Sequence, residues 1–167
     1  IRDSNNLERT LEMAERLKQS ELDFFLNFHY SDTWSDPSNQ EKPSAWQDLS
    51  FENLCDSIQQ YSYHVITKLK NQNTLPNYVQ IGNETDCGIL WPDGYICEES
   101  NNEFQWDNLR ALFFHAIEGI NSALDVDDTL KIISHVSSGG TWFFENLIEQ
   151  DIGCLLYTSD AADDGLS

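Results

Sequence analysis

The chain has 167 residues and a formal net charge of -20, from 9 Lys and Arg against 29 Asp and Glu. Its length suits one domain, and 40% hydrophobic residues are enough to bury a core despite the acidity. The charge argues against a nucleic-acid partner, whose phosphates would be repelled, and against an anionic membrane surface. No run of about 18 apolar residues predicts a transmembrane helix. A neutral substrate fits these numbers.

Helical and strand-like patterns alternate along the chain. Apolar residues at helical spacing predict four helices, over 7–17, 51–69, 109–120 and 142–150, and Ser50 is placed to cap the second. Short apolar runs predict three strands, at 22–30, 78–82 and 130–136. The order is αβαβαβα, which predicts a parallel sheet with crossover helices.

The four cysteines are Cys55, Cys87, Cys97 and Cys154. Cys87 and Cys97 bracket a turn-rich loop, so they either form a disulfide in a secreted protein or remain two buried thiols. Their spacing does not match a zinc site. We therefore expect no metal and no cofactor.

Polar side chains follow each predicted strand. His29 and Asp32 follow the first, Asn83 and Glu84 the second, and His135 ends the third. The links from strand to helix, 31–49 and 85–105, are long, and such links at the carboxyl ends of parallel strands build active sites. No Gly-rich phosphate loop follows any strand, so a Rossmann sheet is disfavoured.

Glu84 is the strongest catalytic candidate. The apolar run that begins at Tyr78 stops at Gly82, Asn83 and Glu84. A glutamate at the end of a buried strand is poorly placed for a core and well placed to exchange a proton with a substrate. The alternative is an ordinary surface or ion-paired glutamate.

Four motifs together resemble glycoside hydrolase family 53, the arabinogalactan endo-β-1,4-galactanases. They are FHYSDTWSDP at 28–37, QEKPSAW at 40–46, VQIGNE at 79–84 and GILWPDG at 88–94. Their order and spacing agree with the family over most of the chain. The resemblance implies a retaining glycosidase on a (β/α)8 barrel, with Glu84 as general acid/base at the end of the fourth strand. It places the nucleophile on a glutamate of the seventh strand.

The three strands then correspond to about the third to fifth strands of an incomplete TIM barrel, because a (β/α)8 barrel needs about 250 residues. We expect residues 1–153 to form this partial barrel domain. Residues 154–167 resemble a translated sequencing adapter, which predicts a non-native tail; the alternative is an ordinary flexible tail. The nucleophile is missing, so the chain alone is expected to be inactive.

The resemblance also implies substrate contacts. Asn83 is predicted to donate to the sugar 2-hydroxyl, or else only to hold the strand end. His29 is predicted to bind sugar or to support residues that do, and Asp32 is predicted to bind sugar; the alternative is a core histidine with a turn-capping aspartate. His135 is predicted to face the same pocket. Trp91 either stacks on a sugar or packs its own loop.

Two further tryptophans, Trp34 and Trp46, pose the same choice, and packing is favoured for Trp46. His64 and His115 lie within predicted helices and are assigned no role. The expected partner is galactan or arabinogalactan from pectin side chains, cleaved by a monomer outside the cell. The rival interpretation is a non-catalytic carbohydrate-binding barrel, and a third is a truncation product without function.

Overall fold

The computed structural model describes residues 6–97, 103–137 and 141–149. The described residues contain four α-helices and a small sheet. The helices are α1 (Leu7–Gln19), α2 (Phe51–Asn71), α3 (Glu103–Ser122) and α4 (Thr141–Glu149). The strands are β1 (Phe25–Phe28), β2 (Tyr78–Ile81), β3 (Gly88–Ile89), β4 (Gly94–Tyr95) and β5 (Lys131–Ile133). The predicted tail at 154–167 lies outside the described residues.

Strands β1, β2 and β5 form a parallel sheet in the order β1-β2-β5. Leu26 pairs with Val79, which pairs with Ile132 on its other side. Helices cross over between successive strands, so the predicted parallel architecture is confirmed. The strands are shorter than predicted because positive φ angles at Tyr30 (51°) and Gly82 (73°) turn the chain out of the extended conformation.

The 85–105 link contains an antiparallel pair that the sequence analysis did not predict. Here Gly88 pairs with Tyr95 and Ile89 with Gly94. The pair requires glycine, because Gly88 has φ 86° and a Cβ there would lie 1.8 Å from the carbonyl oxygen of Gly94. Strands of two residues carry no periodic pattern, which is why this hairpin escapes prediction.

One face of the sheet is packed against helices. Alternate strand residues, Leu26, Phe28, Val79, Ile81 and Ile132, are buried in one core with α2 and α3. Helix α2 begins as predicted at Ser50, whose side chain accepts a hydrogen bond from the N–H of Asn53. Helix α3 lies close to α2 at Gly119, where a Cβ would lie 2.2 Å from a backbone oxygen of α2.

The other face carries the remaining strand residues. Phe25 pairs with Tyr78 near the start of this face, and both are exposed, at 47% and 40%. Asn27 pairs with Gln80 farther along, toward the carboxyl ends of the strands. These polar residues lead to the predicted site. Within the described ranges, no helix is long and apolar enough to cross a membrane.

Candidate active site

The backbone of Glu84 is held in a left-handed conformation, with φ 48° and ψ 59°. A non-glycine residue pays about 1–2 kcal/mol for this conformation, so its surroundings must fix it. The Glu84 N–H donates to Nδ1 of His135 at 3.3 Å, and its carbonyl accepts from Nε2 of Gln40 at 3.2 Å. Side chains that follow β1 and β5 therefore fix the turn at the end of β2.

The carboxylate of Glu84 is less constrained. The residue is partly buried. None of the residues in 6–97, 103–137 and 141–149 gives this carboxylate a hydrogen bond or an ion pair. A positioned backbone thus carries a carboxylate that is free to meet a ligand.

Asn83 is buried, with 6% exposure, and both ends of its amide are bonded. Its Nδ2 donates to the carbonyl of Ser35 at 2.8 Å, and its Oδ1 accepts from Nδ2 of Asn27 at 2.9 Å. Nε2 of Gln80 lies 3.4 Å from the same oxygen. An amide nitrogen carries two hydrogens, so one remains for a ligand. These bonds hold the end of β2, and donation from Asn83 to a sugar stays a prediction.

His29 is linked to the same network through Ser35. The Ser35 N–H donates to Nδ1 of His29 at 3.2 Å, and Nδ2 of Asn27 lies 3.5 Å from Nε2 of the same ring. Burial lowers the pKa of His29, while the negative charge of Glu84 acts in the opposite direction. Ser35 links His29 to Asn83, the residue before Glu84, because the Ser35 carbonyl accepts from Nδ2 of Asn83. The Trp34 ring, 59% exposed, lies 4.8 Å from the imidazole between ring centroids.

Asp32 anchors the long loop that follows β1. Its Oδ2 accepts from the backbone N–H of Ser44 at 2.8 Å and from the Ser44 hydroxyl at 2.7 Å. The backbone bond, followed by the hydroxyl bond, lowers the pKa of Asp32. These bonds connect the two ends of a 12-residue stretch of the loop, and a direct contact between Asp32 and sugar stays a prediction.

Trp91 packs within its own loop. Its Nε1 donates to the carbonyl of Cys87 at 2.9 Å, and its ring meets Tyr95 edge-on at 4.8 Å. A sugar-stacking role for its partly exposed ring stays a prediction. Trp46 meets Tyr61 edge-on at 6.0 Å and packs against the core, as favoured from the sequence.

The two long loops are joined to each other, and a disulfide closes the second of them. Cys87 and Cys97 are bonded, so the disulfide alternative holds. Lys42 and Asp93 form an ion pair at 2.8 Å with side-chain exposures of 10% and 22%. The N–H of Trp91 donates to the carbonyl of Gln40 at 2.8 Å. The two loops at the carboxyl end of β2 are therefore connected to each other by an ion pair and a backbone hydrogen bond.

Residues 1–154 match the sequence model of the protein family described as glycosyl hydrolase family 53. The chain belongs to glycosyl hydrolase family 53. This agrees with the resemblance that the four sequence motifs indicate.

Individual family 53 relatives give the same result. The chain is 43% identical over 136 residues to an uncharacterized protein in the bgaB 5′ region of Niallia circulans, covering 81% of this chain and 36% of that protein. It is 34% identical over 150 residues to an arabinogalactan endo-beta-1,4-galactanase of Thermothelomyces thermophilus, covering 87% and 42%. The chain thus spans about two fifths of the length of these relatives.

A solved structure extends the likeness to the fold. The Ignisphaera aggregans GH53 catalytic domain superposes with a TM-score of 0.75 at 32% sequence identity, over 89% of this chain and 38% of that domain. The parallel sheet with its outer helices is therefore part of a family 53 (β/α)8 barrel, as predicted.

The structure brings His29, Asn83, Glu84 and His135 together and places Asp32 and Trp91 in the adjoining loops. Four further residues bond to this cluster without having been predicted from the sequence, namely Asn27, Ser35, Gln40 and Gln80. Two of them carried a signal, because Asn27 and Gln80 are polar residues inside apolar strands. Among the described residues, no group of three or more His, Cys, Asp or Glu could hold a metal ion.

Proposed function

We propose that this chain is part of a secreted, monomeric endo-β-1,4-galactanase, in which Glu84 is the general acid/base. Family membership supports the reaction class, and the Thermothelomyces thermophilus relative supports the substrate. The observation that carries the proposal is the state of Glu84. Its backbone is fixed by two side chains, while its carboxylate has no partner among the described residues.

Bare surfaces support the view that the chain belongs to a longer barrel. Parallel sheets are normally covered on both faces, yet Phe25 and Tyr78 are exposed on one face. Within the described part, β1 and β5 have no strand on their outer edges. A groove of about 1060 Å³ runs along β1 between α1 and the sheet, lined by Leu7, Met13 and Leu26 among others. The remaining strands of a barrel would cover these surfaces and supply a second carboxylate.

The proposed reaction needs both carboxylates. Glu84 protonates the oxygen between two galactosyl units as the second carboxylate attacks the anomeric carbon. The glycosidic bond breaks and a glycosyl-enzyme ester forms. Glu84, now ionised, takes a proton from water as that water cleaves the ester. Retaining enzymes hold the two groups about 5–5.5 Å apart.

The neighbouring groups have proposed roles in binding. The second amide hydrogen of Asn83 donates to the 2-hydroxyl of the sugar at the cleaved bond, and His29 binds sugar beside it. Trp34 presents an exposed ring to the C–H face of a sugar. Asp32, Trp91 and His135 contribute to substrate binding at the rim of the site.

A disulfide supports the proposed extracellular location, because such bonds persist in oxidising compartments. The monomeric state is an assumption of the proposal, and sedimentation of the complete protein measures it.

The test uses the whole enzyme, by which we mean the complete protein that contains residues 6–149 together with the rest of its barrel. Glu84→Gln keeps the shape of the side chain and removes the exchangeable proton. We expect its rate on galactan to fall by about 10²–10⁴-fold, with binding of galactan unchanged. Glu15→Gln, an exposed position on α1, is the control and should behave like wild type.

A second substrate separates acid catalysis from general damage. An aryl galactobioside with a good leaving group needs little protonation, so Glu84→Gln should lose far less of its bond-cleavage rate on that substrate. Equal losses on both substrates would refute the acid role. A whole protein that binds galactan without cleaving it would support the rival carbohydrate-binding function. The 167-residue chain by itself is expected to show no hydrolysis.

A further inference from the structure

Gln40 is a buried side chain with an unusual set of partners. It is 1% exposed, and its Nε2 donates to the carbonyl oxygens of Asn83 at 2.7 Å and Glu84 at 3.2 Å. The same nitrogen also lies 3.1 Å from the carbonyl of Asp36. Two amide hydrogens are thus shared among three carbonyls, which leaves none for a ligand.

The two carbonyls belong to the peptide units that aim the proposed acid/base. Asn83 and Glu84 come just after β2, which ends at Ile81, and Glu84 has the left-handed backbone described above. A left-handed residue directs its side chain differently from an extended one, so the hydrogen bonds that hold these peptide units also hold the carboxylate.

Gln40 is itself held from the opposite side. Its backbone carbonyl accepts from the N–H of Trp91, and Lys42, two residues on, is paired with Asp93. The backbone of Gln40 is therefore held in the loop after β1, while its side chain bonds to the residues that follow β2.

We propose that Gln40 is a positioning residue that sets the direction of the Glu84 carboxylate for proton transfer to the glycosidic oxygen. The inference rests on the proposed function of Glu84. Gln40 acts through the Asn83–Glu84 backbone and does not touch substrate.

The first test compares Gln40→Met with Gln47→Met in the whole enzyme. Methionine has a similar length and donates no hydrogen bond, and Gln47 is exposed in the same loop. A shift of about 1 Å at a reacting group costs about a hundredfold in rate, so we expect kcat of Gln40→Met to fall by that order. KM should stay close to wild type, because other residues make the substrate contacts. Gln47→Met should match wild type, and a Gln40→Met enzyme with wild-type kcat would overturn the inference.

The second test uses Gln40→Glu, which nearly preserves volume. An ionised carboxylate faces the two carbonyl oxygens unfavourably, whereas a protonated one donates a hydrogen bond to one of them. The ratio of variant to wild-type kcat should therefore rise reversibly as pH falls. A constant ratio across pH would contradict the inference. So would failure of Gln40→Glu to fold at every pH, since Gln40 would then be a general requirement of the fold.

Failure of the inference can be told apart from failure of the proposed function. If Glu84→Gln keeps full activity on galactan, the proposed function fails and the Gln40 inference fails with it. If Glu84→Gln abolishes hydrolysis while Gln40→Met keeps its kcat, only the Gln40 inference fails.

Discussion

His135 supports the turn of Glu84 through both its ring and its backbone. Nδ1 of His135 accepts a hydrogen bond from the N–H of Glu84 at 3.3 Å. The His135 carbonyl accepts from the Thr85 N–H at 2.8 Å and from the Thr85 hydroxyl at 3.0 Å. His135, which follows β5, thus accepts three hydrogen bonds from two consecutive residues that follow β2. Parallel strands make this possible, because their carboxyl ends meet at one edge of the sheet.

Replacing the ring tests this support. His135→Leu leaves the partly buried Glu84 N–H without an acceptor, which costs about 1–3 kcal/mol, and it should also lower kcat of the whole enzyme. In His135→Asn the Oδ1 atom can take the place of Nδ1, so both losses should be smaller. Urea unfolding and steady-state kinetics measure the two effects. Equal losses for Leu and Asn would show that the acceptor is unimportant.

The pH dependence of stability tests the environment of His29. Its pKa lies below the ordinary 6.5 because burial disfavours the charged ring. The folded state therefore favours the neutral form. Its contribution to stability is complete above about pH 6.5 and is lost as pH falls through the lower pKa of the folded protein.

The matched variant for this measurement is His29→Asn, which keeps an acceptor for the Ser35 N–H and does not titrate. The free energy of unfolding of wild type minus that of His29→Asn should decrease as pH is lowered below 6.5. Thermal unfolding between pH 7.5 and pH 4.5 gives the difference. A flat difference would mean that the His29 pKa is the same in the folded and unfolded states.

The disulfide should contribute measurably to stability. Cys87 and Cys97 close a short loop with a sequence separation of 10, and the chain-entropy model gives about 2–3 kcal/mol for a loop of that length. The double variant Cys87→Ser and Cys97→Ser should have a free energy of unfolding that is lower by that amount, measured by denaturant unfolding. Wild type in reductant should match it, and the variant itself should not respond to reductant. A response would point to another disulfide.

The Lys42–Asp93 pair should couple the two long loops. Lys42 is nearly buried and bonded to Asp93 at 2.8 Å, and hydrogen bonds between charged groups contribute about 1.5–3 kcal/mol. A double-mutant cycle with Lys42→Met and Asp93→Asn measures the coupling energy. The same cycle at Lys70 and Asp125, where Asp125 is 79% exposed, should give a smaller value because solvent screens that pair. Equal values at both pairs would argue against coupling by the buried contact.

The sequence predicted the parts of this structure that depend on local pattern. The apolar run before Gly82 located β2, and its polar end located Glu84. Apolar spacing located α2 and α3 because each buries one face along its length. The alternation of helices and strands then fixed the parallel sheet.

The parts that were missed depend on distant contacts. Gln40 meets the Glu84 carbonyl across 44 positions in sequence, and no local pattern indicates such a contact. Ser44, which bonds the Asp32 side chain, and Cys87, which bonds the Trp91 side chain, lie in the same loops as those residues, where no periodic pattern distinguishes packing from binding. The disulfide was left as one of two alternatives, because pairing depends on a distance in space that the spacing of two cysteines does not determine.

The environment of Asn83 has a consequence for producing the protein. Asn83, Glu84 and Thr85 have the form Asn-x-Thr, the acceptor for N-linked sugar in secreted eukaryotic proteins. The fold buries Asn83 and Thr85, at 6% and 0% exposure, and the Asn83 amide nitrogen is bonded to Ser35. A glycan on that nitrogen and the folded site exclude each other. In a host that attaches N-linked sugar, each molecule modified at Asn83 before β2 folds cannot form this site. A host without N-glycosylation avoids this modification.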